Sequence, residues 1–168
     1  MIIAALVALA GCAKTAPPPV ADAAVDEAAI RAINPQWFQG YAAGDADAMA
    51  ALYAEDAVLS PPGAPMARGR AAIREFLAGD IAAAQAAGIK FNPGASPEFA
   101  VSGDMGWEWN TFTVTDGSGA TVDTGKYVTV YQRKDGNWAI VRDIWNSDIA
   151  PAAAAPDAAA PDAAPSAG

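Results

Sequence analysis

Two residues of opposite charge, Lys126 and Asp143, are predicted to lie near each other on an otherwise apolar surface of a β-sheet. The dipeptide Asp135-Gly136 is the preferred signal for a two-residue hairpin turn, and it fixes the register of the strands on either side. In that register Asp143 lies diagonally across from Lys126, within reach of an ion pair. Such a carboxylate can act as a general base while the lysine stabilises an oxyanion. The alternative is a purely structural pair, because structural ion-pair networks also perturb pKa values.

Tryptophans surround this predicted pair. Directly opposed residues of antiparallel strands point to the same side of a sheet, so extending the register through the turn at 116–119 defines one face. That face is predicted to hold Trp107, Trp109, Thr111, Lys126, Val128, Val130, Val141, Asp143 and Trp145. Its aromatic character predicts a pocket for a flat apolar or aromatic molecule. The predicted lining is Trp37, Tyr41, Tyr53, Trp107, Trp109, Val128, Val141 and Trp145. If the indoles instead pack fully, they are core and no cavity exists.

The opposite face of the same strands is also rich in apolar and aromatic residues. It is predicted to hold Glu108, Asn110, Phe112, Tyr127, Thr129, Tyr131, Arg133, Trp138, Ile140, Arg142 and Ile144. Three predicted helices can cover only one face, so we expect another subunit to bury the second. The sequence therefore predicts a homodimer through the outer face of the sheet.

Hydrophobic periodicity predicts helices first and strands afterwards. One helix is expected from Asp22 to Gly44 with a kink at Pro35, a second is capped by Asp45, and a third ends at Gly88. A brief strand at 58–59 precedes the third helix. Further strands are predicted near 89–92, 97–102, 105–115, 121–134 and 137–147. This order is typical of an α+β domain with an antiparallel sheet.

Composition excludes several classes of function. The chain has 168 residues and a net charge of −9, which repels phosphate backbones, so we expect no nucleic-acid partner. It contains no histidine and a single cysteine, so the usual zinc, copper and haem ligand sets cannot be assembled within one chain. A carboxylate site for a hard cation is the remaining possibility, and we expect neither a metal nor a cofactor.

The two ends differ from the central segment. Residues 2–10 are apolar but too short to span a bilayer, and Leu9-Ala10-Gly11-Cys12 resembles the lipobox of bacterial lipoproteins. The resemblance implies a signal peptide at 1–11, a lipid on Cys12 and a Pro-rich tether at 12–21. The domain at 22–149 would then be exported and held at a membrane by the lipid anchor alone, in the periplasm and at the outer membrane of a Gram-negative bacterium. Residues 150–168, all Ala, Pro, Asp, Ser or Gly, are predicted to be a disordered tail.

Short motifs across the central segment resemble a known family. They are the run from Gly44-Asp45-Ala46-Asp47 to Tyr53-Ala54-Glu55-Asp56-Ala57, then Pro62-Gly63, Gly69-Arg70, Ile73, Gly136, Trp138 and Trp145-Asn146-Ser147-Asp148. Over about residues 25–148 the chain resembles the SnoaL-like group of the nuclear transport factor 2-like superfamily. The resemblance implies a cone-shaped domain, in which a curved antiparallel sheet wraps around three helices and encloses a cavity. Isomerases, dehydratases, cyclases and simple binding proteins share this fold.

Ketosteroid isomerase is the best-understood relative, and its pocket positions correspond to Trp107, Trp109, Lys126, Val128, Val141, Asp143 and Trp145. Its catalytic groups are not retained. Pro61 replaces the general-base aspartate, Trp37 replaces the oxyanion tyrosine, and Val128 replaces the oxyanion aspartic acid. We therefore expect no steroid isomerase activity.

Three hypotheses follow for the function. The first is a membrane-tethered domain that binds a small apolar or aromatic molecule in the Trp-lined pocket. The second is an enzyme of the cyclase, dehydratase or isomerase type, with Asp143 as general base and Lys126 as its partner. The third is a non-catalytic dimeric scaffold of the cell envelope.

Overall fold

A computed structural model describes residues 23–149 of the chain, and the side chains of residues 24–149. The predicted signal peptide, Cys12, the tether and the C-terminal tail lie outside the described residues and remain predictions. Within the described part, no helix has the length and apolar character needed to cross a membrane.

The predicted α+β order is confirmed. The helices are α1 (Ala23–Arg31), α2 (Ile33–Ala43), α3 (Ala46–Ala51) and α4 (Arg70–Ala86). The strands are β1 (Tyr53–Ser60), β2 (Ala67–Arg68), β3 (Lys90–Pro93), β4 (Glu98–Ser102), β5 (Met105–Thr115), β6 (Thr121–Lys134) and β7 (Asn137–Ser147).

Local sequence signals account for the helix boundaries. The first predicted helix is divided at Ala32 into α1 and α2, and Pro35 lies in the first turn of α2, where its missing N–H disrupts no helical hydrogen bond. Gly44 ends α2 in the left-handed conformation at φ 77°. The Asp45 carboxylate then accepts a hydrogen bond from the Ala48 N–H at 2.8 Å and caps α3. Tyr53, predicted at the end of the second helix, instead begins β1.

The strands form one curved, open and mostly antiparallel sheet. Its order is β2-β1-β7-β6-β5-β3, and β4 pairs with β5 on the same edge as β3. β1 runs parallel to β7 and so joins the first part of the chain to the last strand. The helices pack on the inner face of this sheet, where Ile30, Met49, Leu77, Tyr131 and Ile140 belong to one buried cluster.

A single extra residue in β7 changes the register predicted from the hairpin turn. Near the turn the pairing is as predicted, with Tyr131 opposite Ile140. On the next pair Val130 lies opposite Arg142, so Val141 is an added residue in β7, a β-bulge. Because successive side chains alternate between faces, this insertion exchanges the two faces of β7 beyond Val141.

The face assignment predicted from sequence is therefore wrong in two respects. First, the predicted interface face is the inner face on β5 and β6, where Glu108 and Tyr131 are buried. Second, the bulge brings Asp143 to this inner face, opposite Thr129. The pairing of β5 with β6 is shifted by two residues from the register predicted from the turn at 116–119, with Trp107 opposite Val130 rather than Val128. A shift of two leaves each side chain on its face, so the residues predicted to share a face on these two strands do share it.

Candidate functional site

A cavity lies between the inner face of the sheet and helices α2 and α4. Its volume is about 60 Å³, room for roughly four to six water molecules at about 10–15 Å³ each. Aromatic rings form most of its wall: Trp37, Phe38, Tyr41, Phe91, Phe112, Tyr127, Tyr131 and Trp145. Leu77 and Ile140 are its aliphatic members, and Asn34, Asp80, Thr129 and Asp143 are its remaining polar members.

The aromatic wall is held by contacts between neighbouring rings. Trp37 stacks on Tyr41 with ring centroids 5.5 Å apart, since the two residues lie one turn apart on α2. Tyr41 meets Phe91 edge-on at 5.1 Å, and Phe91 contacts Phe112 at 5.6 Å. These contacts connect α2 to β3 and β5, so the cavity wall is continuous from helix to sheet.

Two carboxylates lie in one row across the sheet. Glu108 on β5 pairs with Thr129 on β6, and Thr129 pairs with Asp143 on β7. Adjacent strands are about 4.8 Å apart, so the backbone positions of the two acids are about 10 Å apart on the same face. The row runs under the cavity, and Thr129 and Asp143 form part of the lining.

Asp143 is buried and is held by hydroxyl groups. The Tyr53 hydroxyl donates to Asp143 Oδ2 at 2.6 Å, and Trp37 Nε1 donates in turn to the Tyr53 oxygen at 2.9 Å. The Thr129 hydroxyl donates to Asp143 Oδ1 at 3.2 Å. Burial raises the pKa of Asp143 to about 6, because loss of solvent outweighs the stabilisation from the two hydroxyls.

Glu108 is fully buried and accepts three hydrogen bonds. Its Oε1 accepts from the Tyr127 hydroxyl at 2.6 Å and from Asn34 Nδ2 at 2.7 Å, and its Oε2 accepts from the Tyr131 hydroxyl at 2.8 Å. Burial raises the pKa of Glu108, and the three donors oppose that rise. Burial and the adjacent carboxylate also raise the pKa of both phenols, so Tyr127 and Tyr131 remain protonated donors.

Neither buried carboxylate has a cationic partner among residues 23–149. The ion pairs of this part of the chain involve other acids, and Lys126 pairs with Asp148 on the exposed surface. The predicted ion pair of Lys126 with Asp143 is therefore wrong, because the bulge at Val141 places the two side chains on opposite faces of the sheet. A buried charge without a counterion is costly, so this arrangement is unusual for a purely structural core.

A third carboxylate lies at the wall of the cavity on the side of α4. The Tyr41 hydroxyl donates to Asp80 Oδ2 at 2.8 Å. Burial, together with this carboxylate, raises the pKa of Tyr41. Asp80, Trp37, Phe38 and Trp145 are each half-buried, so this side of the cavity is the one nearest to solvent.

The sequence profile of the SnoaL-like domain family matches residues 35–141, well over half of the chain. The chain belongs to this family. No functionally curated protein matches it. The matched segment of the SnoaL-like domain extends from α2 to the bulge in β7 and includes most of the cavity wall.

Solved structures share the fold of this SnoaL-like domain. A nuclear transport factor 2-like protein with a cystatin-like fold from Novosphingobium aromaticivorans matches with a TM-score of 0.66 at 25% identity, covering 71% of this chain and 80% of that one. A proposed dehydratase of the nuclear transport factor 2-like family from Streptomyces avermitilis matches with a TM-score of 0.62 at 18% identity, covering 76% of this chain and 99% of that one. A ketosteroid isomerase-like protein from Erwinia carotovora matches with a TM-score of 0.57 at 20% identity, covering 73% of this chain and 96% of that one.

The structure brings together part of the predicted site. Trp37, Tyr41, Asp143 and Trp145 line the cavity, and Tyr53 lies directly behind Asp143. Whether any of them binds a ligand or takes part in catalysis stays a prediction.

The remaining predicted site residues do not line the cavity. Trp107, Trp109, Val128 and Lys126 lie on the outer face of the sheet, so the prediction that they share a wall with Asp143 is wrong. Their alternation with the buried residues Glu108 and Asn110 is the physical reason. Val141 is buried in the core as the bulge residue.

Sequence reasoning missed the role of Glu108 and its donors. The register places Glu108, Tyr127 and Tyr131 on one face, as observed, but the sequence predicts a subunit interface for that face and does not connect Asn34 with it. The available signal was a polar pattern of period two, since Glu108 and Asn110 on β5 lie near Tyr127, Thr129 and Tyr131 on β6. A buried carboxylate needs several donors, and this face supplies them.

Stability should depend on pH through Asp143. Between about pH 4 and pH 6 the folded protein holds this proton while the unfolded chain releases it, so the free energy of unfolding falls as pH rises. A rise in pKa from 3.8 to about 6 corresponds to a loss of about 3 kcal/mol once the pH exceeds the higher value. Asp143→Asn should therefore be more stable than the natural protein above about pH 6 but not below about pH 4, as measured by urea unfolding.

The control is Asp135→Asn, which removes one charge in the exposed hairpin turn. Its stability relative to the natural protein should show no such change with pH. Parallel pH profiles for the two variants would contradict an ionised, buried Asp143.

Proposed function

We propose that the SnoaL-like domain binds a small, mainly apolar molecule in the aromatic cavity, with Asp143 contacting a polar group of that molecule. The observation that supports this proposal is a buried carboxylate, without a cationic partner among the described residues, at the wall of a cavity lined largely by aromatic rings. Protein cores rarely retain such a group unless it contributes to function. Convergence of a few polar groups in an apolar cavity is typical of a ligand site.

The size of the cavity limits the ligand. A volume of about 60 Å³ is below the roughly 150 Å³ of a cavity that holds benzene, so a ring compound fits only if the solvent-facing side of the cavity opens, and a fused polycyclic compound is too large. Trp37 and Phe38 are half-buried on α2, and their rotation is the simplest way to admit a longer molecule.

Tryptophan fluorescence tests binding, because two indoles line the cavity. Titration with a panel of small ring compounds should give a saturable change that depends on Trp145. In Trp145→Phe a large part of the change should be lost. The matched control Trp107→Phe, on the outer face, should keep it. If no compound in a chemically broad panel gives a saturable change, the proposed function is wrong.

An enzyme of the isomerase, dehydratase or cyclase type is a second candidate, and the pKa of Asp143 near 6 favours it. In this case Asp143 takes a proton from a C–H bond of the substrate and returns it at another atom. Stabilisation of the resulting negative charge is weak, however, because the hydroxyls nearest Asp143 already donate to carboxylates. Lys126 cannot supply it from the outer face. Binding therefore has the stronger support.

Asp143→Asn separates the two candidates. If a compound that binds is also converted, the substitution should lower turnover by about 10²–10⁴-fold, because amides do not accept protons at neutral pH. The bound compound should be followed by chromatography and by fluorescence in parallel. Undiminished turnover in the variant would eliminate Asp143 as the base.

We also propose a homodimer through the observed outer face of the sheet, which holds Trp107 and not Glu108 or Tyr131. Ile144 is 53% exposed and Trp107 is 40% exposed, and the half-buried Trp109, Val128 and Val130 lie between them. These residues form a continuous apolar area on three adjacent strands, which is uncommon on a solvated surface.

Light scattering after size exclusion should give twice the chain mass of 17.0 kDa. Ile144→Glu should shift the protein to a monomer at about micromolar concentration, because it places a charge in the buried centre of the interface. Met66→Glu, at an exposed methionine in the β1–β2 connection, should leave the mass unchanged. A monomeric natural protein would rule out this interface.

A further inference from the structure

We propose that the cavity selects a small organic cation, an amine or ammonium compound with an apolar body. The inference rests on the proposed function, that the cavity binds a small molecule, and it adds the charge and hydrogen-bonding character of the ligand. It goes beyond the small apolar or aromatic ligand that the sequence alone predicts.

The first argument is the charge of the wall. Asp143 and Asp80 both line the cavity, and no lysine or arginine is found among the lining residues in the described part of the chain. Arg31 is the basic residue that acts on Glu108, but it pairs with Glu27 and lies over the Phe99 ring, outside the cavity. A ligand ammonium group would therefore meet negative charge without a competing protein cation.

The second argument is the use of hydrogen-bond donors. The hydroxyls of Thr129, Tyr127 and Tyr131 donate to the two buried carboxylates, and the Tyr41 hydroxyl donates to Asp80. The indole N–H of Trp37 donates to the Tyr53 oxygen.

The amide nitrogen of Asn34 is also occupied, by Glu108 and the Tyr127 oxygen. Of the lining side chains, Trp145 is the one donor for which the described residues supply no acceptor. The lining groups that can still form hydrogen bonds with a ligand are therefore mostly acceptors: the oxygens of Asp143, Asp80 and the phenols. Such a lining suits a ligand that donates hydrogen bonds.

The third argument is the aromatic surface itself. Cations are attracted to the faces of aromatic rings within about 6 Å, and tryptophan gives the strongest effect. Trp37, Tyr41, Phe91 and Trp145 line the same cavity as Asp143 and Asp80, so a cation bound there would gain ring contacts and a counterion together. The net charge of −9 also raises the local concentration of cations around the protein.

The test compares two probes of nearly the same shape, benzylammonium and benzyl alcohol. Titrations of the natural full chain at about pH 7.5, where the amine is charged, should be followed by tryptophan fluorescence and by calorimetry. We expect benzylammonium to bind at least about tenfold more tightly than benzyl alcohol, from ring contact and ion pairing together.

Substitutions of the two lining carboxylates test whether they cause the preference for the amine over the alcohol. Asp143→Asn keeps the shape of the side chain and should weaken binding of the amine by about tenfold more than it weakens binding of the alcohol. Asp80→Asn should reduce the preference for the amine by a smaller factor, because Asp80 lies nearer to solvent. Asp135→Asn makes the same change in net charge in the distant hairpin turn and should leave the preference intact.

The outcomes are distinct. Equal or tighter binding of benzyl alcohol by the natural protein overturns the cation proposal while leaving the proposed binding function in place. A preference that survives Asp143→Asn and Asp80→Asn also overturns it, because the selectivity would then come from elsewhere. If neither probe nor any compound of the wider panel binds, the binding function fails and the cation proposal fails with it.

Discussion

The one-residue insertion at Val141 determines what the interior of this domain contains. Without it, Asp143 and Trp145 would point to the outer face with Trp107, while Arg142 and Ile144 would point inward. An arginine would then lie among aromatic rings, and the cavity would lose Asp143 and one of its two indoles. The bulge thus exchanges a cation for an anion at the centre of the domain, and the chemistry of the site depends on that exchange.

Burial of two acids in one row of the sheet is possible because neutral donors converge on each of them from several elements. Glu108 receives its donors from α2 and β6, and Asp143 receives its donors from β1 and β6. These bonds offset part of the desolvation cost but do not cancel it, as the raised pKa values of both acids indicate. The domain gives up stability at neutral pH to keep a carboxylate at the cavity, a pattern found at sites that bind or transform ligands.

Most of the fold could be predicted because its boundaries have local signals. Gly44, Asp45 and Asp135-Gly136 each form the cap or turn that their residue type favours, and the strands between them follow. The site could be predicted only in part. A bulge at Val141 has no distinctive residue type, and both faces of β5 to β7 are apolar enough to be buried. The choice between those faces depends on which of them the helices cover. That packing is a long-range property, and the local sequence pattern of the strands does not specify it.

The parallel pairing of β1 with β7 makes completion of the fold depend on the last strand of the chain. Residues 58–60 find their partners at 142–144, so this contact closes a loop that includes most of the domain. During synthesis, β1 and the helices before it are made first, and β1 cannot pair with β7 until the final hairpin has left the ribosome. Tyr53 and Asp143 come together in the same event, so an N-terminal fragment that ends before β7 lacks the complete cavity.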